Sequence, residues 1–123
     1  MSPQLAVAAL LANYNRQLKT YQTLRDYMQQ MQREMAATGK LEGMIEHLKR
    51  RNTLFHQIED LDREIKDQKI IWERHKDSLL TTEAEMLRSI LKQIQLLLGE
   101  ILALEQGLEA GLNSFAYVRP AAK

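Results

Sequence analysis

The feature that most constrains this chain is the spacing of its apolar residues. In the last third, Leu87, Ile90, Ile94, Leu97, Ile101, Leu104, Leu108, Leu112 and Phe115 follow one another at steps of three or four. That period puts them on one side of an α-helix, because 3.6 residues complete a turn. The first third repeats the pattern with Val7, Leu11, Tyr14, Leu18, Tyr21, Leu24, Met28, Met31 and Met35. The middle third carries it less regularly, through Leu41, Ile45, Leu48, Phe55, Ile58, Leu61, Ile65 and Trp72, with polar residues interrupting near Asn52 and Gln68. With only 5 Gly and 2 Pro in 123 residues, a turn-rich β architecture is excluded. The expected fold is all-α: one domain of three long antiparallel amphipathic helices over about 3–37, 40–78 and 82–116. Residues 117–123 form a frayed tail. An elongated hairpin joined by a third helix makes a coiled-coil-like bundle, each rod roughly 50 Å long at ~1.5 Å per residue.

The helix ends carry their own signals. Ser2 stands where a cap belongs and Pro3 at the first helical position, where a missing N–H costs nothing. Gly39 is placed to stop the first helix in a left-handed turn. Thr82-Glu83-Ala84-Glu85 reads as a capping box opening the third helix. The middle stretch pairs Glu46 with Arg50, Glu59 with Arg63 and Asp62 with Lys66 at helical spacing, which keeps a long exposed helix solvated.

Most chemistry is disfavoured by what the chain lacks. Lys+Arg number 17 against 16 Asp+Glu, so the basic excess of a nucleic-acid binder is missing. There is no cysteine, which removes disulfides and thiolate metal sites. His47, His56 and His75 have Met44, Thr53 and Trp72 three residues before them, so the Glu-x-x-His pair of a di-iron bundle does not occur. Neither a phosphate-binding glycine loop nor a nucleophile elbow is found, and no enzymatic activity or cofactor is expected. The apolar run Leu5–Ala12 is too short for a signal peptide or membrane span, and Lys92, Glu100, Glu105 and Glu109 interrupt Ile90–Ala116. A soluble cytoplasmic chain is the expectation. The basic run His47–Asn52 reads as a solvated face, and Met28, Met31, Met35 and Met44 as core filling at the hairpin end. Gly99, Ala103, Gly107 and Gly111 form a small-residue row that reads either as close packing against helix 1 or as a functional feature, the close approach of a second helix or a helix end that flexes to open a groove.

Two segments resemble a known family. MAATGKLEGMIEHLKRRNTLFHQIEDLDR, residues 35–63, resembles the flagellar export chaperones of the FlgN type in its helix, its glycine turn and its Ile58-Glu59-Asp60-Leu61-Asp62 end. ILKQIQLLLGEILALEQGLEAGL, residues 90–112, resembles the family's last helix, and the related FliT type shares the same outline. The resemblance implies a cytoplasmic chaperone of type III-like secretion. Such a protein binds the C-terminal helix of a flagellar axial protein, a hook–filament junction or cap protein, prevents premature assembly and delivers it to the export gate. In that family a tyrosine near the C-terminus contacts the gate, and Tyr117 is the residue here that matches.

Physically, this is helix-in-groove binding, in which a partner helix completes the core of a bundle. The expected contacts are Leu97, Ile101, Leu104, Leu108, Leu112 and Phe115, with Leu91, Leu98 and Leu102 widening the stripe on one flank. Without a partner such a surface needs cover, so a homodimer is expected of the free protein. The alternative is a coiled-coil scaffold or adaptor whose third helix seals a permanent homo-oligomer.

Overall fold

The computed structural model describes the backbone of residues 1–38 and 43–121 and the side chains of 1–37 and 43–110. Four helices follow in order: α1 Pro3–Thr38, α2 Met44–Glu64, α3 Lys66–His75 and α4 Thr82–Ala121. No strand occurs among the described residues. α1 is the central rod. α4 lies parallel to it, with Glu100 beside Arg25 and Gly107 beside Gln32. α2 returns antiparallel, with His47 beside Tyr27 and the Leu61 carbonyl beside Asn13.

The caps follow the sequence at one end and depart from it at the other. Ser2 Oγ accepts the Leu5 N–H at 3.1 Å, as Pro3 in the first turn leads one to expect. For α4 the cap is Thr81, not Thr82: its Oγ1 accepts the Ala84 N–H at 3.2 Å. The residue three positions on from Thr81 is alanine, so the expected box does not close, and Glu85 pairs with Arg88 instead. α4 also passes the end expected at Phe115 and takes Pro120 into its last turn. So close to the end of a helix, a proline forgoes a ladder bond when few remain to be lost. The expected stop at Gly39 lies outside the described residues. Gly43 precedes α2 with φ of 79°, a backbone conformation open to glycine and costly for other residues.

The helix expected over 40–78 is two helices. It breaks at Ile65, whose φ and ψ are −113° and 18°, and it ends at His75. At the break the Ile65 N–H turns to the Asp62 carbonyl at 3.4 Å. The Leu61 carbonyl, four residues before Ile65, thereby loses its ladder partner. The side-chain amide of Asn13 donates to it at 2.8 Å, and the Gln17 amide donates to Asn13 Oδ1 at 2.8 Å. Asn13 and Gln17 are both buried. A buried carbonyl left without a partner costs about 1–3 kcal/mol, which this amide layer removes.

The layer divides the core in two. On one side Val7, Leu10, Ile65, Trp72, Ala84 and Leu87 pack together, with Tyr14, Leu79 and Leu91 against them. On the other, Leu24, Met28, Met31, Met44, Leu54, Ile58, Ile101 and Leu108 form the larger cluster. Methionine therefore fills core here, as its place on the α1 stripe indicates. The charge pairs differ from those expected. Glu46 holds Lys49, Asp60 holds Arg63, Glu59 meets His56, and Asp62 reaches across the break to Lys69.

Thr81→Ala is expected to lower stability by about 1 kcal/mol, against a few tenths for Thr82→Ala. Urea denaturation of the two variants distinguishes the caps.

Candidate functional site

The stripe expected to receive a partner helix is used inside the protomer. Leu97, Ile101 and Leu108 are buried, at 6%, 3% and 6% exposure. Leu104 is half-buried against the larger cluster. This corrects their expected role as an outward groove: α1 takes the α4 seam for itself, because α4 packs along most of its length. Leu112, Phe115 and Tyr117 have side chains outside the described residues.

α4 leaves several apolar residues outside, Met86 and Leu96 singly and two leucines together on one flank. Leu98 and Leu102 are 42% and 60% exposed, one helical turn apart. Leu91, on the same side, is half-buried in the smaller cluster. Next to it a cleft of about 510 Å³ opens between α3 and α4, lined by Trp72, Lys76, Arg88, Leu91, Lys92 and Gln95 among others. By helical spacing Leu91, Gln95, Leu98 and Leu102 share one side of α4, so a groove face can be traced from the cleft to the two exposed leucines, although only its first part is a cavity.

Two cations hold the ends of this groove. Arg88 donates to the carbonyls of Lys76 and Leu79 at 2.6 Å each and to Glu85, with its guanidinium 5.4 Å from the centre of the Trp72 ring. The last carbonyls of a helix lack ladder donors and carry partial negative charge, so a guanidinium suits the end of α3. At the other end Arg51 of α2 pairs with Glu105 of α4, and the guanidinium lies 5.1 Å from the Phe55 ring centre. From Arg88 to Glu105 the groove runs roughly 25 Å at ~1.5 Å per residue, enough for about 17 residues of helix.

The basic run His47–Asn52 is thus partly committed to structure. Besides the Arg51 clasp, Arg50 lies 5.3 Å from the Tyr27 ring centre. His47 joins α2 to α1, with Nδ1 2.5 Å from the Tyr27 hydroxyl and Nε2 2.8 Å from a Glu34 carboxylate oxygen. Among the described residues no group of three or more His, Asp or Glu is placed to hold a metal ion. Nor is any helix there long and apolar enough to cross a membrane. A Cβ at Gly107 would come 2.9 Å from Nε2 at the tip of the Gln32 side chain, with no α1 backbone atom that near. A Cβ at Gly99 would meet nothing within 4 Å, so no packing among the described residues requires glycine there.

Asn13, Gln17, Arg51, Trp72 and Arg88 matter most to this geometry, and none stood out as a site residue in the sequence. Asn13 and Gln17 did leave a trace, because Leu10, Asn13, Gln17 and Leu24 share one row at helical steps. The electrostatics of this region show in the tyrosines. Burial, then the Asp62 carboxylate, pushes the Tyr14 hydroxyl up to about 12, and the same two causes raise Tyr21.

No protein-family model, curated protein or solved structure matches the chain.

Two predictions follow from burial and charge. Ile101→Ala is expected to cost 2–5 kcal/mol by leaving a cavity, while Leu102→Ala stays within about 0.5 kcal/mol, both measured by denaturation. A tyrosine whose folded pKa exceeds its ordinary value of 10 stabilises the fold fully below pH 10. That contribution fades as pH climbs towards about 12. Tyr14→Phe should flatten the loss of thermal stability across this range, and a slope unchanged from the parent would contradict the assignment.

Proposed function

We propose that this chain is a non-catalytic, helix-binding protein of the flagellar export-chaperone kind. It holds the C-terminal amphipathic helix of an axial protein in the groove between α3 and α4 and delivers it, in the cytoplasm, to the export gate. The observation that carries the reading is the exposed pair Leu98 and Leu102, on the same side of α4 as Leu91 of the cleft. An isolated exposed leucine needs no explanation, but a row of them beside an open cleft marks a surface built for contact. The sequence likeness to FlgN-type chaperones supplies the kind of partner.

The energetics suit a reversible chaperone. A partner helix laid in the groove removes the flank leucines from water at about 25 cal/mol per Å² of apolar area. Ordering the partner consumes much of that gain, so affinity depends on how well apolar residues at i, i+3, i+4 and i+7 match the groove. The core residues Leu97, Ile101 and Leu108 support α4 from behind. The binding role belongs to the flank.

Trp72 is the single tryptophan of the chain and lines the cleft. Titration with peptides from the C-termini of hook–filament junction and cap proteins should shift its emission and raise the melting temperature, with a scrambled peptide inert. Leu98→Asp with Leu102→Asp should remove both responses and keep the helical circular dichroism. If neither response appears with any such peptide, the chaperone reading fails. A chain that sediments as a stable oligomer at nanomolar concentration, and whose monomers appear only in the double variant, belongs to the scaffold class instead.

A further inference from the structure

The break at Ile65 lacks a cause within its own segment. No glycine or proline lies between Met44 and His75. Sharp interruptions of a helix normally trace to those residues, or to a side chain inserted into the ladder. Here the inserted group belongs to another helix: the Asn13 amide donates to the Leu61 carbonyl at 2.8 Å, in a buried position, while the Ile65 N–H makes a long 3.4 Å bond to Asp62. Gln17 holds the Asn13 amide in place through its Oδ1 at 2.8 Å. Gln68 Oε1, early in α3, is buried with no protein hydrogen-bond partner among the described residues.

We propose that α2 and α3 are a two-state element, one continuous helix or two, and that the Asn13 amide selects the bent state and so sets the width of the groove. In the straight state the Leu61 carbonyl takes the Ile65 N–H and no longer needs Asn13. The bend places Trp72 under Arg88 and against α4. Straightening swings α3 outward from the break, so Trp72 leaves Arg88 and the cleft opens. The Lys69–Asp62 ion pair spans the break and resists this, being set by the bent geometry. The switch is a property of the free chain and holds whatever the groove binds.

The experiment needs no ligand, which separates it from the test of the chaperone reading. Spin labels at the exposed positions Gln57 and Arg74 report the distance across the break by pulsed electron resonance. In the parent the distance should fall short of the roughly 26 Å of backbone that 17 residues of unbroken helix would span. Asn13→Leu should lengthen it, move the Ile65 carbon shifts to helical values and redden Trp72 emission. Gln17→Leu, which leaves the donor to Leu61 in place, should shift the population less. If Asn13→Leu does not give a folded protein, Asn13→Ala is read in the same way. An unchanged distance in a folded Asn13 variant overturns the proposal. So does the absence, in the parent, of a scalar coupling across the hydrogen bond from the Asn13 side-chain nitrogen to the Leu61 carbonyl carbon.

Discussion

A single hydrogen bond from Asn13 to the Leu61 carbonyl sets much of the arrangement. A helix carbonyl stripped of its ladder donor and kept from water must find another donor, and the amide on α1 is that donor. Where this bond is made, the ladder between α2 and α3 is interrupted at Ile65. Ile65 turns into the core at 3% exposure, and Trp72 comes to rest against α4. The position of Asn13 on the buried row of α1 also fixes the register of the antiparallel pair, since sliding α2 by one turn would bring a bonded carbonyl opposite the amide. Polar residues at seam positions commonly give up some stability for such specificity of register.

The central place of α1 explains why its buried face is wide. It must satisfy α4 on one side and α2 with α3 on the other. Ala6, Leu10, Asn13 and Gln17 are buried, while Leu11, Tyr14, Leu18 and Tyr21 are half-buried beside them. α4, in contrast, has only one extensive neighbour. Its seam is satisfied by α1 and its leucine flank is left over, which is where a binding surface can lie without weakening the core. Arg88 and Arg51 fit the same logic. Arg88 ties α4 to the segment that follows α3, and Arg51 ties α2 to α4, both through charge-assisted bonds.

Several elements were legible from residue order because the physics behind them is local. Ser2 before Pro3 capped α1 as its pattern indicates, and the period of α4 named a buried seam through Ile94, Leu97 and Ile101. The function of that seam was not legible. A stripe that fits a partner helix has the same spacing as one that fits α1, and periodicity carries no label for the neighbour. The displaced cap at Thr81 shows the same limit on a smaller scale, since Thr81 and Thr82 are adjacent and only the backbone turn decides which one bonds. Arg88 looked like one more surface cation, because the carbonyls that it caps lie 9 and 12 residues away in sequence.

By itself, then, the sequence determined that the chain is helical, where the helices largely run and which side of each is apolar, because hydrogen-bond ladders and amphipathic faces are decided within a few turns. The tertiary structure alone decided the break at Ile65, the choice of α1 as the common neighbour and the consignment of Leu97, Ile101 and Leu108 to the core. Those outcomes depend on groups from different helices meeting: an amide finding an unbonded carbonyl, a guanidinium finding a helix end. No local window of residues contains both partners.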